Sequence, residues 1–142
     1  MQAALGEARR GGELGEVPIG AVVAMDGVIV GRGFNQPISA GDPTAHAEIV
    51  AVREAARATG NYRLTGATLV VTIEPCLMCV GALVHARIGT VVYGAAEPRS
   101  GALVSAIRGA ELPGQNHRFT VVGGVREEEC RALMQAFFKD RR

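Results

Sequence analysis

The apolar positions of the chain fall alternately into helix-like and strand-like patterns. Met1, Leu5 and Ala8 share one face of a short opening helix, which should stop near the Gly11-Gly12 pair. Ile19 to Met25 is a nearly unbroken apolar run, the mark of a strand buried on both faces. Asp26-Gly27 is a two-residue hairpin signal, and Val28 to Phe34 returns as the second strand. Asn35 to Thr44 reads as a loop, from Pro37, Ser39, Gly41, Asp42 and Pro43. Thr44 is a candidate N-cap for a helix that reaches about Thr59 and ends at Gly60-Asn61. Ala67 to Ile73 reads as a third, buried strand. Pro75 is placed to open a second helix that runs to about Arg87. Thr90 to Tyr93 predicts a fourth strand and Phe119 to Val122 a fifth. Between them, Glu97 to Gly114 is weakly patterned and should mix loop with one short helix. Arg126 to Lys139 closes the chain as a helix with Leu133, Phe137 and Phe138 on or near its apolar side. Phe137 and Phe138 are adjacent and cannot share one helix face, so one should be core and the other exposed. Helices alternating with buried strands predict an α/β fold around one mixed sheet. No linker or repeat divides the chain, so residues 1–142 are expected to form one domain.

Composition narrows the function classes. Aromatics are 4% and Trp is absent, so Val, Ile, Leu and Ala must fill the core. Glycine, at 19 residues, implies tight turns and close backbone contacts. The net charge of +1 argues against binding nucleic acid by bulk electrostatics, though not against a local basic patch. All basic residues but Lys139 are Arg, which suits bidentate phosphate and base contacts, although codon bias alone would give the same composition. Three cysteines, two of them close together, do not make a disulfide framework and fit a reducing compartment. Met1 to Gly12 lacks the pattern of a secretory leader, and no apolar run nears the ~18 residues of a membrane span. A soluble, cytoplasmic protein is expected, with no membrane partner.

Two short motifs carry the chemistry. His46-Ala47-Glu48 and Pro75-Cys76-Leu77-Met78-Cys79 each sit at the predicted start of a helix. Alone, the first could be a cap and the second a redox pair. Together they offer one imidazole and two thiolates, the ligand set of a tetrahedral zinc site with one open position. A closed structural site would need His85, His117 or Cys130 to join. His85 lies two turns beyond Cys79 on the same helix and cannot converge, while His117 and Cys130 are distant in sequence. Two thiolates formally neutralise the dication, and the first turn of a helix stabilises them. Zinc so held can lower the pKa of water to about 7. Glu48 follows the His ligand by two residues, near the metal without binding it. It is placed to take a proton from that water and hand it on to the substrate and its leaving group. The plainer alternative is a capping carboxylate.

His-x-Glu paired with Pro-Cys-x-x-Cys is the signature of zinc nucleobase deaminases, so the chain resembles the cytidine-deaminase-like superfamily. More closely, it is similar to the bacterial tRNA adenosine deaminases. That resemblance runs through Glu16 to Val22, Asn35 to Ile38, Asp42 to Ile49, Asn61 to Leu64, Thr72 to Cys79, Ala86 to Ile88 and Val91 to Ala95. It ends with Asn116-His117-Arg118 and Phe137-Phe138, the segments that favour the tRNA branch. The resemblance implies a three-layer α/β/α fold with a five-stranded mixed sheet, one zinc per subunit and a homodimer. It implies hydrolysis of adenosine to inosine at the wobble position of an arginine tRNA. Carried over by residue, Asn35 would hydrogen-bond the flipped base, with Ala47 beside it. Asn116, His117 and Arg118 would contact the anticodon loop, and Phe138 and Arg142 of the closing helix would flank it. The chain departs from the family at Glu97-Pro98-Arg99, where Asp-Pro-Lys is usual, and at Val104, where Gly is usual. Glu97 would keep a carboxylate near the sugar, one methylene longer.

Two other readings remain open on sequence. One is a deaminase of free guanine, cytosine or a nucleoside. The other is a zinc-stabilised RNA-binding module without turnover, which the presence of Glu48 opposes.

Overall fold

The computed structural model describes residues 1–142. Its strands are β1 (Gly20–Met25), β2 (Val28–Phe34), β3 (Thr68–Ile73), β4 (Thr90–Ala95) and β5 (Thr120–Val122). They form one sheet in the order β2-β1-β3-β4-β5. β1 is antiparallel to both β2 and β3, whereas β3, β4 and β5 run parallel. The sheet is mixed, as expected. β1 lies inside it, which explains why Ala21, Val22 and Val23 are all buried. Asp26 and Gly27 both take positive φ, 51° and 77°, the twist a two-residue hairpin needs.

The helices are α1 (Gln2–Glu13), α2 (Pro37–Ala40), α3 (Ala47–Thr59), α4 (Leu77–His85) and α5 (Glu127–Lys139). α1 and α5 cover one face of the sheet, over a small cluster built on Leu5, Ile73, Ala95 and Cys130. α3 and α4 cover the other, over the main core that includes Ala51, Leu69, Val71, Val80, Leu83 and Val91. This is the three-layer α/β/α arrangement.

Several boundaries differ from those read in the sequence. α1 runs past Gly11-Gly12 to Glu13, because Gly11 packs directly beneath the Phe34 ring. The Asn35–Thr44 loop contains the four-residue α2. Thr44 does not cap α3. Its N–H and hydroxyl both bind Asp42 Oδ1, at 2.8 and 2.7 Å, and His46 takes the N-cap position. Pro75 lies before α4 rather than in it. Cys76 is the N-cap, and the helix stops at His85. The weakly patterned stretch yields only a single 3₁₀ turn, Gly109–Glu111.

β1 is antiparallel to its two neighbours, so β2, β3 and β4 all point the same way. Their C-terminal ends therefore release Asn35, Glu74 and Ala96 at one edge of the sheet, where ligands of open α/β sheets bind. α3 starts at this edge and lies close against β2. A Cβ on Gly33 would sit 2.6 Å from the Ala47 carbonyl oxygen and 2.7 Å from the Ala51 nitrogen. We expect Gly33→Ala to push α3 off the sheet and cost about 1–3 kcal/mol. Thermal melts of the purified variant check this, and an unchanged melting temperature would refute the close-packing argument.

Candidate active site

Three ligating side chains meet where α3 and α4 begin. His46, Cys76 and Cys79 each offer a ligand atom within 4.8 Å of the others. His46 Nδ1 lies 3.5 Å from Cys76 Sγ and 3.6 Å from Cys79 Sγ. Tetrahedral zinc with Zn–N near 2.05 Å and Zn–S near 2.3 Å sets its N and S ligands about 3.6 Å apart. The donor set and its spacing therefore fit zinc. His46 and Cys76 are the N-caps of α3 and α4, and Cys79 is the third residue of α4. The free N–H groups of α4 favour thiolate at this place. A hydrogen bond from the Cys79 thiol lowers the pKa of Cys76 to about 5, against the effect of burial, with the Cys79 N–H and His46 also helping. Conversely, the same bond to Cys76, together with burial, pushes Cys79 up.

None of the other candidate ligands joins this group. His85 is exposed at the far end of α4. Cys130 is buried in the small cluster with its Sγ 3.8 Å from Met1 Sδ. His117 donates through Nε2 to the Ile88 carbonyl, at 2.7 Å. The protein thus supplies three ligands and no fourth, which is the pattern of a catalytic rather than a structural zinc site.

Glu48 is the buried carboxylate beside this trio. It is 4% exposed and its Oε2 lies 3.3 Å from Cys79 Sγ. Burial pushes its carboxyl above the usual range, so it holds a proton more readily than a surface glutamate. Glu48, His46 and Cys76 line a pocket of about 220 Å³ with Asn35, Glu97, Ser100 and an apolar wall that includes Ile73 and Met134. No protein group binds the Asn35 side-chain amide, which leaves its donor and acceptor for a ligand, while the main-chain N–H of Asn35 donates to the Ile19 carbonyl at 3.0 Å. The pocket suits a single planar base better than a whole nucleotide, since drug-sized ligands need about 300–1,000 Å³.

An outer groove of about 600 Å³ adjoins the pocket at Glu97 and Met134. Phe138 and Arg142 line it with Gln135 and Lys139. Phe138 is the exposed member of its pair, at 46%, and Phe137 is half-buried beneath the Arg141 guanidinium, 3.5 Å from the ring centroid. Ala47 has its methyl in the main core, so only its main chain can face the pocket. Asn116, His117 and Arg118 do not join the pocket. They precede β5, whose start pairs with the start of β4, and so lie at the opposite edge of the sheet, about 15–20 Å away along the strands. Within the chain, Asn116 Oδ1 accepts from Arg87 and Arg118 donates to the Ala110 carbonyl.

Two buried glutamates, unassigned in the sequence reading, hold the lips of the pocket. Glu16 accepts from the N–H groups of Ile38 (3.3 Å) and Ser39 (2.7 Å) at the start of α2. Burial raises its pKa, but these hydrogen bonds outweigh that and hold it below the usual range. Glu74 does the same for the loop after β4, as described below. The available sequence signal was an acidic residue wedged between an apolar strand and Pro75-Cys76.

Comparison with known proteins places this geometry. Residues 1–95 match the family model of the cytidine and deoxycytidylate deaminase zinc-binding region. A tRNA-specific adenosine deaminase of Agrobacterium fabrum is 44% identical over the whole chain and 93% of its own length. One from Haemophilus influenzae is 45% identical over the whole chain and 83% of its length. A solved structure from studies of A-to-I editing by tRNA:A34 deaminases at the wobble position of transfer RNA superposes with a TM-score of 0.92. Its identity is 45%, over 94% of this chain and 96% of that one. A guanine deaminase of Nitrosomonas europaea shares the fold alone, with a TM-score of 0.82 at 22% identity over 96% and 81% of the two chains.

Cys79→Ser should lose most of its zinc, whereas Cys130→Ser keeps it, and metal analysis of the two purified proteins checks this. Glu16 has a depressed pKa, so it stabilises the fold at neutral pH, and that contribution is lost as pH falls through its folded value. Glu16→Gln should therefore melt lower than the parent at pH 7, by a margin that shrinks toward acid, as a pH series of thermal melts would show.

Proposed function

We infer the function from kinship: this chain belongs to the tRNA-specific adenosine deaminases, a branch of the cytidine and deoxycytidylate deaminase zinc-binding family. It is a zinc-dependent hydrolase that converts adenosine to inosine at the wobble position of a tRNA anticodon. The observation that carries this reading is a three-ligand metal site with a buried, unligated glutamate beside it, in a base-sized pocket that opens into a groove.

When bound by His46, Cys76 and Cys79, zinc supplies a Lewis acid that makes water acidic enough to attack near neutral pH. Glu48 takes a proton from the attacking water on its carboxylate, passes it to the ring nitrogen beside the reacting carbon, and returns a proton to the departing amino group. The balance is adenosine plus water giving inosine plus ammonia. The raised affinity of buried Glu48 for a proton suits this shuttle. Asn35 orients the base with its unpartnered amide, and the Ala47 main chain lies beside it. The apolar wall of the pocket excludes bulk water from the reacting edge.

The outer groove takes the nucleotides that flank the target. Phe138 offers a stacking face, Arg142 and Lys139 offer phosphate contacts, and Glu97 meets the sugar at the boundary. Asn116, His117 and Arg118 contact the anticodon loop from a second copy, because their own pocket lies at the other edge of the sheet. A homodimer, with one zinc per subunit, agrees with the exposed apolar side chains Leu77, Met78, Val104, Ile107 and Leu112. The tRNA is an arginine tRNA, read by the whole of residues 1–142 as one domain in the cytoplasm. No helix is long and apolar enough to cross a membrane.

The test is inosine formation on an anticodon stem-loop with adenosine at the wobble position, run beside free adenosine, cytidine and guanine. Product from the stem-loop alone is expected. Product only from a free base would move the chain to nucleobase salvage. Glu48→Ala should keep zinc and RNA binding while turnover falls by about 10²–10⁴-fold. Retained turnover would refute the assigned role.

A further inference from the structure

Glu74 ends β3 and precedes Pro75 and the ligand Cys76. It is 3% exposed and forms no ion pair. Its carboxylate is instead held by donors from the loop after β4. Oε2 accepts the N–H groups of Leu103 (3.1 Å), Val104 (2.9 Å) and Ser105 (3.1 Å). Oε1 accepts the Glu97 N–H (3.3 Å) and the Ser105 hydroxyl. Three successive N–H groups turned onto one oxygen make a main-chain nest for an anion. The loop wraps this anion tightly. A Cβ on Gly101 would meet the Glu74 carboxyl carbon and the Glu97 carbonyl oxygen at 2.5 Å each. The Ala102 N–H also binds the Pro75 carbonyl, at 2.8 Å.

The same loop carries the side chains that stand where the base pocket meets the outer groove. Glu97 lines both, and Ser100 lines the inner one. Glu97 Oε1 is bound by the Arg99 N–H (2.9 Å), so its direction follows the path of the main chain. The three metal ligands, by contrast, hang on the starts of α3 and α4, and none of them takes a hydrogen bond from this loop.

We propose that Glu74 is a positioning residue: through the main chain of residues 97–105 it sets Glu97 and Ser100 at the mouth of the pocket, and so governs binding of the target nucleotide rather than proton transfer at Glu48. This rests on the reading of the pocket as the site for a wobble adenosine. Glu74→Gln would turn one carboxylate oxygen into a donor facing N–H groups, and the loop would shift to relieve it.

The test uses the zinc-loaded full chain and the anticodon stem-loop. For Glu74→Gln, KM should rise about tenfold, the size of one lost charge-assisted interaction, while kcat stays within about twofold and zinc content is unchanged. Combined with Glu97→Ala, the rise in KM should not exceed that of the larger single variant, because both act at one place. Ser105→Ala removes one donor from an exposed residue and should raise KM about threefold, with the same saturation by Glu97→Ala. It serves as the deciding variant should Glu74→Gln fail to fold. The proposal is overturned by an unchanged KM, by a fall in kcat or zinc that accounts for the loss, or by additivity with Glu97→Ala. A parent enzyme that makes no inosine from the stem-loop overturns the reading of the pocket and the proposal together. An active parent with unaffected variants overturns the proposal alone.

Discussion

The convergence of two helix starts on one metal position is the constraint that the rest of the structure serves. His46 and Cys76 are N-caps, and Cys79 is one turn into α4, so three ligand atoms lie within 4.8 Å only while both helices keep their place. That arrangement crowds two sulfurs, an imidazole and the Glu48 carboxylate together, with contacts of 3.3 to 3.6 Å. The fold must therefore supply rigidity from elsewhere. β1 and β3 lie inside the sheet, α3 rests on β2 where Gly33 leaves no Cβ, and α4 follows β3 across only Glu74, Pro75 and Cys76.

Around this rigid centre, part of the pocket wall is loop, at Val17, Asn35, Glu97 and Ser100. Such loops would ordinarily move, and a binding site needs them fixed. Here the solution is two buried carboxylates used as hubs for main-chain N–H groups. Glu16 gathers the start of α2, and Glu74 gathers residues 97 and 103–105. A carboxylate without a counterion is costly to bury, so each one strongly favours the loop conformation that satisfies it. Order at the lips is thus tied to the same strand ends that position the chemistry.

Strand direction divides the labour of the surface. The residues that leave the ends of β2, β3 and β4 face the metal edge, and those that lead directly into β5 face away. The pocket and the Phe138–Arg142 groove lie together on that account, while Asn116 to Arg118 do not. A single chain therefore carries its metal-side pocket and its Asn-His-Arg segment at opposite edges of the sheet.

The ligand trio and its glutamate were legible in the sequence because each motif is local and sits at a helix start. Apolar runs located β1, β3 and β4, since a buried strand must be apolar whatever its neighbours, while the more exposed β2 was marked by the Asp26-Gly27 turn and β5 by a short apolar run. Boundaries were less legible where a tertiary partner outbid a local signal. Asp42 took Thr44 away from α3, and the Phe34 ring carried α1 past two glycines. The roles of Glu16 and Glu74 could not be read at all, because their partners lie 22 to 31 residues away and are main-chain groups of no particular type. Ala47 shows the same limit in reverse, since its place in a site motif did not reveal that its methyl is core. By itself, then, the sequence determined which side chains can hold a metal and which carboxylate stands beside them, through residue type and short spacing. Only the tertiary structure decided which other residues share that edge of the sheet, because strand order and direction set distances between segments that sequence separation does not.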